Sequence, residues 1–298
     1  MRLLPCIEMR PYCSSVTLFD RQLANLTFSL VGPGRVGSSL AAWATAAGAR
    51  RIAVAGRDSE LSTLSTTGQD LLLVAVPDGA LDAVAASLAK RPQAAVVLHT
   101  SGSRTARALA PLAANGSGIG SLHPLKAFPT ARPDPAEAHG IFFGLDGDPP
   151  AVALGARLAA AWGAVSGEIP EDARLLYHFA ASLAAGGVTT LLAAAADLAG
   201  RLRLPAGVVG GYLELARGAV ESTRGAAREA SDPARAITGP AARGDRATLL
   251  AQLAGLAETA PEMTSWVRGL LAETIRQRDR VGLAGLSHLE LLAELEGE

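Results

Sequence analysis

The first half of the chain alternates short, unbroken apolar runs with amphipathic stretches. Leu26–Val31, Arg51–Ala55, Leu71–Val76 and Ala94–Leu98 read as strands, each stopped by glycine, proline or a polar residue. Ile119–Leu122, Ile141–Leu145 and Gly163–Ile169 continue the series. Between them, Arg35–Gly48 and Val152–Trp162 read as helices. Leu81, Val84, Ala85 and Leu88 fall at i, i+3, i+4 and i+7, the spacing of one helical face. Continuous apolar strands alternating with helices predict an α/β fold of the doubly wound kind, with a mainly parallel sheet covered on both faces.

At Pro170 the pattern changes, and from Glu171 onward it is almost wholly of the helical period. Met263, Trp266, Val267, Leu270 and Leu271 form an apolar stripe, and Ser287 with Glu290 reads as a capping box opening the last helix. The expected organisation is a loose tail over 1–24, a Rossmann domain over 25–169, and an all-helical domain over 170–298. Phe179–Ala196 carries no charge. Its Ala, Gly, Ser and Thr content argues for a buried central helix rather than a membrane span. The first residues lack the long apolar run of a secretory signal.

Composition narrows the function. Apolar residues make up 49% and charged residues 18%, which excludes a disordered chain. Lys plus Arg is 27 against 28 for Asp plus Glu, so neither a nucleic-acid binder nor a polybasic membrane binder is expected. Two cysteines, Cys6 and Cys13, make no disulfide framework and no zinc-ligand set, which fits a cytoplasmic protein without a metal.

The sharpest chemical signal is Gly32-Pro33-Gly34-Arg35-Val36-Gly37, a G-x-G-x-x-G turn lying directly between a strand and a helix. The first glycine permits the turn, the second lets a pyrophosphate approach the backbone, and the third allows close helix–strand packing. The helix N-terminus offers free N–H groups to the anion. An NAD binder wants a carboxylate at the end of the second strand. Gly56 and Arg57 stand there instead, and Arg57 with Ser59 could hold a 2′-phosphate. NADP is the expected cofactor; NAD, with Asp58 taking the ribose, is the alternative.

Three further strand ends are polar. Val76-Pro77-Asp78 and Thr100-Ser101 could line the cofactor path, or Asp78 and Ser101 could serve only as helix caps. His123 and Lys126, in Ser121-Leu122-His123-Pro124-Leu125-Lys126, are candidates for proton donor and substrate anchor. Tyr177 and His178 open the first helix after the change of period and are further catalytic candidates. Thr238 and Arg243, in a turn before a later helix, are candidates for holding a substrate carboxylate. His139 and His288 sit in polar surroundings and carry no assigned role. Each of these has a plainer reading as a turn, boundary or surface residue.

In order, the motifs GPGRVG, VPD, HTSGS, GSLHPLKAFP, LYHFAASLAAGG and AITGPAARGD resemble the bacterial Rossmann-like proteins that carry a C-terminal domain of unknown function, number 2520. The wider kinship is with pyrroline-5-carboxylate reductase, ketopantoate reductase and 6-phosphogluconate dehydrogenase. The resemblance implies an NADP-binding N-terminal domain, an all-helical C-terminal domain, a homodimer built through the helices, and a small-molecule substrate cleft between the domains. It implies an oxidoreductase acting on a small carbonyl or imine acid. There is one departure: the helix bearing Tyr177 and His178 usually continues into a Ser-Asn pair, and Ala185 and Gly186 stand there. That departure motivates the alternative of a non-catalytic dinucleotide-binding or sensor protein.

Overall fold

The computed structural model describes residues 23–131, 134–229 and 231–297. Cys6, Cys13 and nearly all of the expected tail lie outside them. Seven strands form one sheet: β1 (Thr27–Val31), β2 (Arg50–Ala55), β3 (Leu71–Val74), β4 (Val96–His99), β5 (Gly118–Pro124), β6 (Phe142–Gly147) and β7 (Val165–Glu168), in spatial order 2-1-3-4-5-6-7. The strands from β1 to β5 pair in parallel. β6 runs antiparallel to β5, and β7 follows it in parallel.

The apolar runs are continuous because alternate residues feed two cores. Leu71 and Leu73 join one layer while Leu72 and Val74 join the other; Val96 and Leu98 separate from Val97 in the same way. The first layer packs helices α1 (Arg35–Ala46) and α4 (Pro149–Ala161) around Trp43, Phe143 and Trp162. Trp43 and Trp162 meet edge to face with centroids 5.9 Å apart, and Phe143 lies 5.3 Å from Trp162. The second layer packs α2 (Leu81–Leu88) and the short α3 (Ala110–Ala113). Leu23 is buried in the first layer, and its N–H donates to the Ala47 carbonyl, so the chain is already packed two residues before the expected boundary at 25.

The order places β1 between β2 and β3, so the connection from β1 runs to β2 on one side while that from β3 runs to β4 on the other. The crevice beyond the carboxyl ends of β1 and β3 is the topological switch point, where open α/β sheets bind ligands.

The chain divides into two compact units, and the sheet unit runs on to Gly186. Helix α5 (Arg174–Ser182) therefore belongs with the sheet, not with the helical part as a boundary at 170 would have it. The cause is Arg174, fully buried against the sheet, and Tyr177, whose phenol fills the space left by Gly144 of β6. A π-helical segment, Leu183–Gly187, follows.

The helical unit comprises α6 (Val188–Arg201), α7 (Val208–Arg228), the short α8 (Pro240–Arg243), α9 (Arg246–Thr259), α10 (Pro261–Arg280) and α11 (Leu286–Glu296). Its core joins Ala241, Leu249, Leu253, Ala272, Ile275, Leu291 and Leu295. Asp245 caps α9 by accepting the Thr248 N–H. The expected Ser287–Glu290 capping box does not form. Instead α11 opens on Gly285, whose N–H donates to His288 Nδ1 while His288 Nε2 meets the Ala242 carbonyl. His288 is thus buried and structural, not placed in polar surroundings.

Phe179–Ala196 is not the buried helix expected. Phe179 and Leu183 remain 58% and 57% exposed, and α7 has no buried residue. Among the described residues, one helical run, Glu171–Arg201, is long and apolar enough to cross a bilayer.

Candidate active site

The glycine turn has the geometry its spacing predicts, with a different cause at each position. Gly32 has φ +88°, and a Cβ there would run into the Ala75 carbonyl. A Cβ on Gly37 would strike the Gly32 carbonyl and the Ala75 methyl, so α1 packs on the sheet only through glycine. Gly34 is otherwise: its backbone is extended (φ −74°, ψ −170°), and a Cβ would point into open space. Nothing within the fold requires glycine at 34, which is how a backbone kept clear for a ligand looks. No side chain caps α1, and Pro33, Gly34 and Arg35 are exposed. The N-terminal amides of α1 therefore remain available to an anion.

The turn is tied to the end of β2 by the Gly32 N–H, which donates to the Ala55 carbonyl. Gly56 lies against Pro33, and Arg57 follows it, exposed. Ser59 Oγ accepts the Gly56 N–H at 2.9 Å, folding this loop back toward the turn.

A cleft of about 240 Å³ opens beyond the carboxyl ends of β3, β4 and β5. Val36 of α1 lines it, together with Val76, Asp78, Thr100, Ser101, His123, Lys126 and His178. The structure thus brings Val36, in the first turn of α1, and most of the polar strand ends into one concavity. Asp78 does not cap a helix; its carboxylate accepts the Ser103 hydroxyl at 2.6 Å. Burial pushes the Asp78 carboxyl up, but hydrogen bonds from Ser103 and Ser101 and the nearness of His178 and His99 more than offset this and hold it below its ordinary value. Ser101 Oγ also accepts the Arg104 N–H.

His123 is the centre of the cluster. Its Nδ1 lies 3.0 Å from the Tyr177 hydroxyl, and its ring meets the rings of Tyr177 and His178 edge on, each at 5.6 Å. Burial, followed by the Arg174 and His178 charges, lowers His123 to about 4, so its imidazole is neutral at pH 7. His123, expected as the proton donor, therefore stands in this cleft as a neutral imidazole. Gly102 makes the arrangement possible, since a Cβ there would overlap both histidine rings. Tyr177 stands behind His123; burial raises its phenol despite the opposing Arg174 charge.

Lys126 reaches the rim, but its ammonium lies 2.9 Å from Glu137, so it enters as an ion pair rather than as a free anchor. Thr238 and Arg243 are exposed residues of the helical unit, and the cleft is lined by the sheet unit alone.

Three site features escaped the sequence reading. His99 is buried, its Nδ1 accepting the Ser101 N–H while Nε2 meets the Thr105 carbonyl, which shapes the HTSGS turn. Gly144 makes room for Tyr177. Arg174 is wholly buried beneath the site. The last was findable: Arg174, Tyr177 and His178 fall at i, i+3 and i+4, one face of a helix.

These features define a Rossmann-class protein, and a Rossmann-like domain model matches residues 49–124. The DUF2520 domain of unknown function matches residues 141–272, so the chain is similar to that family over this stretch and to the Rossmann-like domain over the other. The first match begins after the glycine turn and the second spans both compact units, so the turn and the unit boundary rest on the structure itself. No curated protein matches the sequence. Among solved structures, BF3122 from Bacteroides fragilis, a candidate NADP oxidoreductase, is 20% identical, with 85% of this chain and 98% of that one covered at TM-score 0.67. TM1727 from Thermotoga maritima is 19% identical over 91% and 100% of the two chains, at TM-score 0.60. An imine reductase from Myxococcus stipitatus in complex with NADP+ is 15% identical over 89% and 98%, at TM-score 0.57. These likenesses establish a shared fold.

Proposed function

We propose that the chain is an NADP-dependent oxidoreductase moving hydride between nicotinamide and a small carbonyl or imine acid. The observation that carries this reading is one cleft uniting the uncapped α1 terminus, through Val36, with the His123 cluster. The NADP-linked descriptions of similar folds support it.

The residues present fit a dinucleotide. Gly34 and the first amides of α1 would hold the diphosphate, and Arg57 with Ser59 would meet a 2′-phosphate. Val76, Thr100 and Asp78 would border the nicotinamide riboside. When bound, the nicotinamide supplies or accepts the hydride. The chain's own contribution is to orient and to handle the proton. Reduction of C=O or C=N needs a proton at the heteroatom as hydride reaches carbon. Neutral His123 would give its Nε2 proton to that atom as it gains charge and take the Tyr177 hydroxyl proton at Nδ1 in exchange, the phenol then recovering a proton from water.

NADPH fluorescence titration tests the first half. We expect binding at tens of micromolar or tighter, by order of magnitude. Arg57→Ala should weaken NADPH about tenfold or more while leaving NADH unchanged, the loss of about 1.4 kcal/mol or more from a charge-assisted pair. Absence of NADPH binding would reject the reading. Consumption of NADPH with keto acids or cyclic imines tests the second half; binding without consumption across the panel would favour the sensor alternative.

We also infer that the helical unit covers its exposed apolar faces with a second copy of the chain, in the cytoplasm. The small side chains of α6 at Ala193, Ala194, Ala195 and Ala196 would let a second helix approach closely.

A further inference from the structure

We propose that Arg174 is a positioning residue of this cleft: its buried guanidinium joins the Ser101 turn to the Tyr177 ring and so fixes the phenol against His123. The inference rests on the reading of His123 as the group that meets the substrate heteroatom.

The geometry is specific. Arg174 is 1% exposed, although it lies in the first turn of a helix whose next two residues, Leu175 and Leu176, are 67% and 71% exposed. Its Nη2 donates to the Ser101 carbonyl at 2.8 Å, which ties α5 to the turn after β4. Its Cζ stands 5.6 Å from the centre of the Tyr177 ring, within cation–π range. Its Nη1 lies 4.0 Å from Asp146 Oδ2, too long for a good hydrogen bond, and neither Nε nor Nη1 has a hydrogen-bond partner. Asp146 instead turns its carboxylate to the Ala106 N–H. A buried cation so loosely compensated costs stability that an apolar residue of similar size would not. Packing alone therefore gives no reason for arginine here.

Its neighbours supply one. A residue facing only the core would have no effect on the cleft, but Arg174 touches two of the elements that frame it. The buried positive charge stands against the Tyr177 ring and does not line the cleft. It opposes a second positive charge on His123 and favours the phenol as hydrogen-bond donor to the neutral Nδ1. The groups facing His123 are Tyr177, His178 and Arg174 from α5, Asp78 from the loop after β3, and His99 from β4. Arg174 exerts the strongest charge effect among them.

The test is an NMR titration of the His123 ring nitrogens in the full chain, assigned by comparison with His123→Gln. Arg174→Met should let His123 titrate higher than wild type by about one pH unit. Arg174→Lys, which keeps the charge, should restore most of the low value. Should Arg174→Met leave Asp146 as an uncompensated buried charge and lose the fold, the paired Arg174→Met, Asp146→Asn variant removes both charges while keeping an acceptor for Ala106. It should show the same upward shift. An unchanged His123 titration in the folded neutral variants, or an equal shift in Arg174→Lys, overturns the proposal. Failure of the dinucleotide reading would show separately, as wild-type protein that does not bind NADPH.

Discussion

At the scale of residues, the buried imidazole of His99 and the half-buried one of His123 at the sheet rim make stability depend on pH. His99 uses both ring nitrogens as a neutral group: Nδ1 accepts from Ser101 and Nε2 donates to Thr105. Protonation would turn the acceptor into a donor facing an N–H. Burial is the main cause of its fall from 6.5 to about 4, and His123 falls to about 4 chiefly for the same reason. A base whose folded value is depressed binds fewer protons folded than unfolded between pH 4 and 6.5. Stability is therefore complete above about 6.5 and lost as pH falls toward 4, by on the order of 3 kcal/mol for His99. Denaturant midpoints measured between pH 7 and 4 should fall accordingly. His99→Gln should flatten that slope; an unchanged slope would count against the neutral assignment.

At the scale of elements, the aromatic junction of α1 and α4 is where the first core layer is most vulnerable. Trp162 follows the last turn of α4 and touches both Trp43 and Phe143. Trp162→Ala should lower unfolding free energy by about 3–5 kcal/mol, read by chemical denaturation with an unchanged m-value. The same elements show what a sequence carries and what it omits. The strands were legible because sheet burial on both faces leaves no polar position in Leu71–Val74 or Val96–Leu98. The glycine turn was legible because three glycines at fixed spacing have few other uses. The reversal of β6 was not, because its pairing with β5 depends on the path of the long Pro-rich connection, which has no periodicity. The assignment of α5 to the sheet unit was also hidden, since it depends on one arginine finding a buried place and on Gly144 making room for a phenol. The capping of α11 by His288 rather than by Ser287 and Glu290 shows the same thing: several polar residues near a helix start can compete, and tertiary contact with Ala242 decides.

At the scale of the whole molecule, the exposed apolar surface is the most consequential feature. Leu213 and Leu215 of α7 are exposed, as are Val188 and Leu191 of α6. A groove of about 520 Å³, lined by residues of α6, α9 and α10, adds to that surface. Contiguous apolar surface of this kind marks a contact face. Light scattering should report a dimer, and Leu213→Glu should shift it toward monomer at micromolar concentration without loss of helical signal. A monomeric wild type recovered in the soluble fraction would contradict the dimer, and sedimentation with membranes would point to lipid as the cover instead.

Gly34 differs from its two companions in the turn in a way that bears on how damage there would be seen. Since its backbone angles suit any residue and its missing side chain faces emptiness, Gly34→Ala should melt, elute and crystallise like the parent protein. The lesion would stay silent until a diphosphate were offered, and then the methyl group would occupy the ligand's own space. A survey of variants by thermal stability would pass this position as tolerant, while a survey by NADPH retention would mark it among the least forgiving.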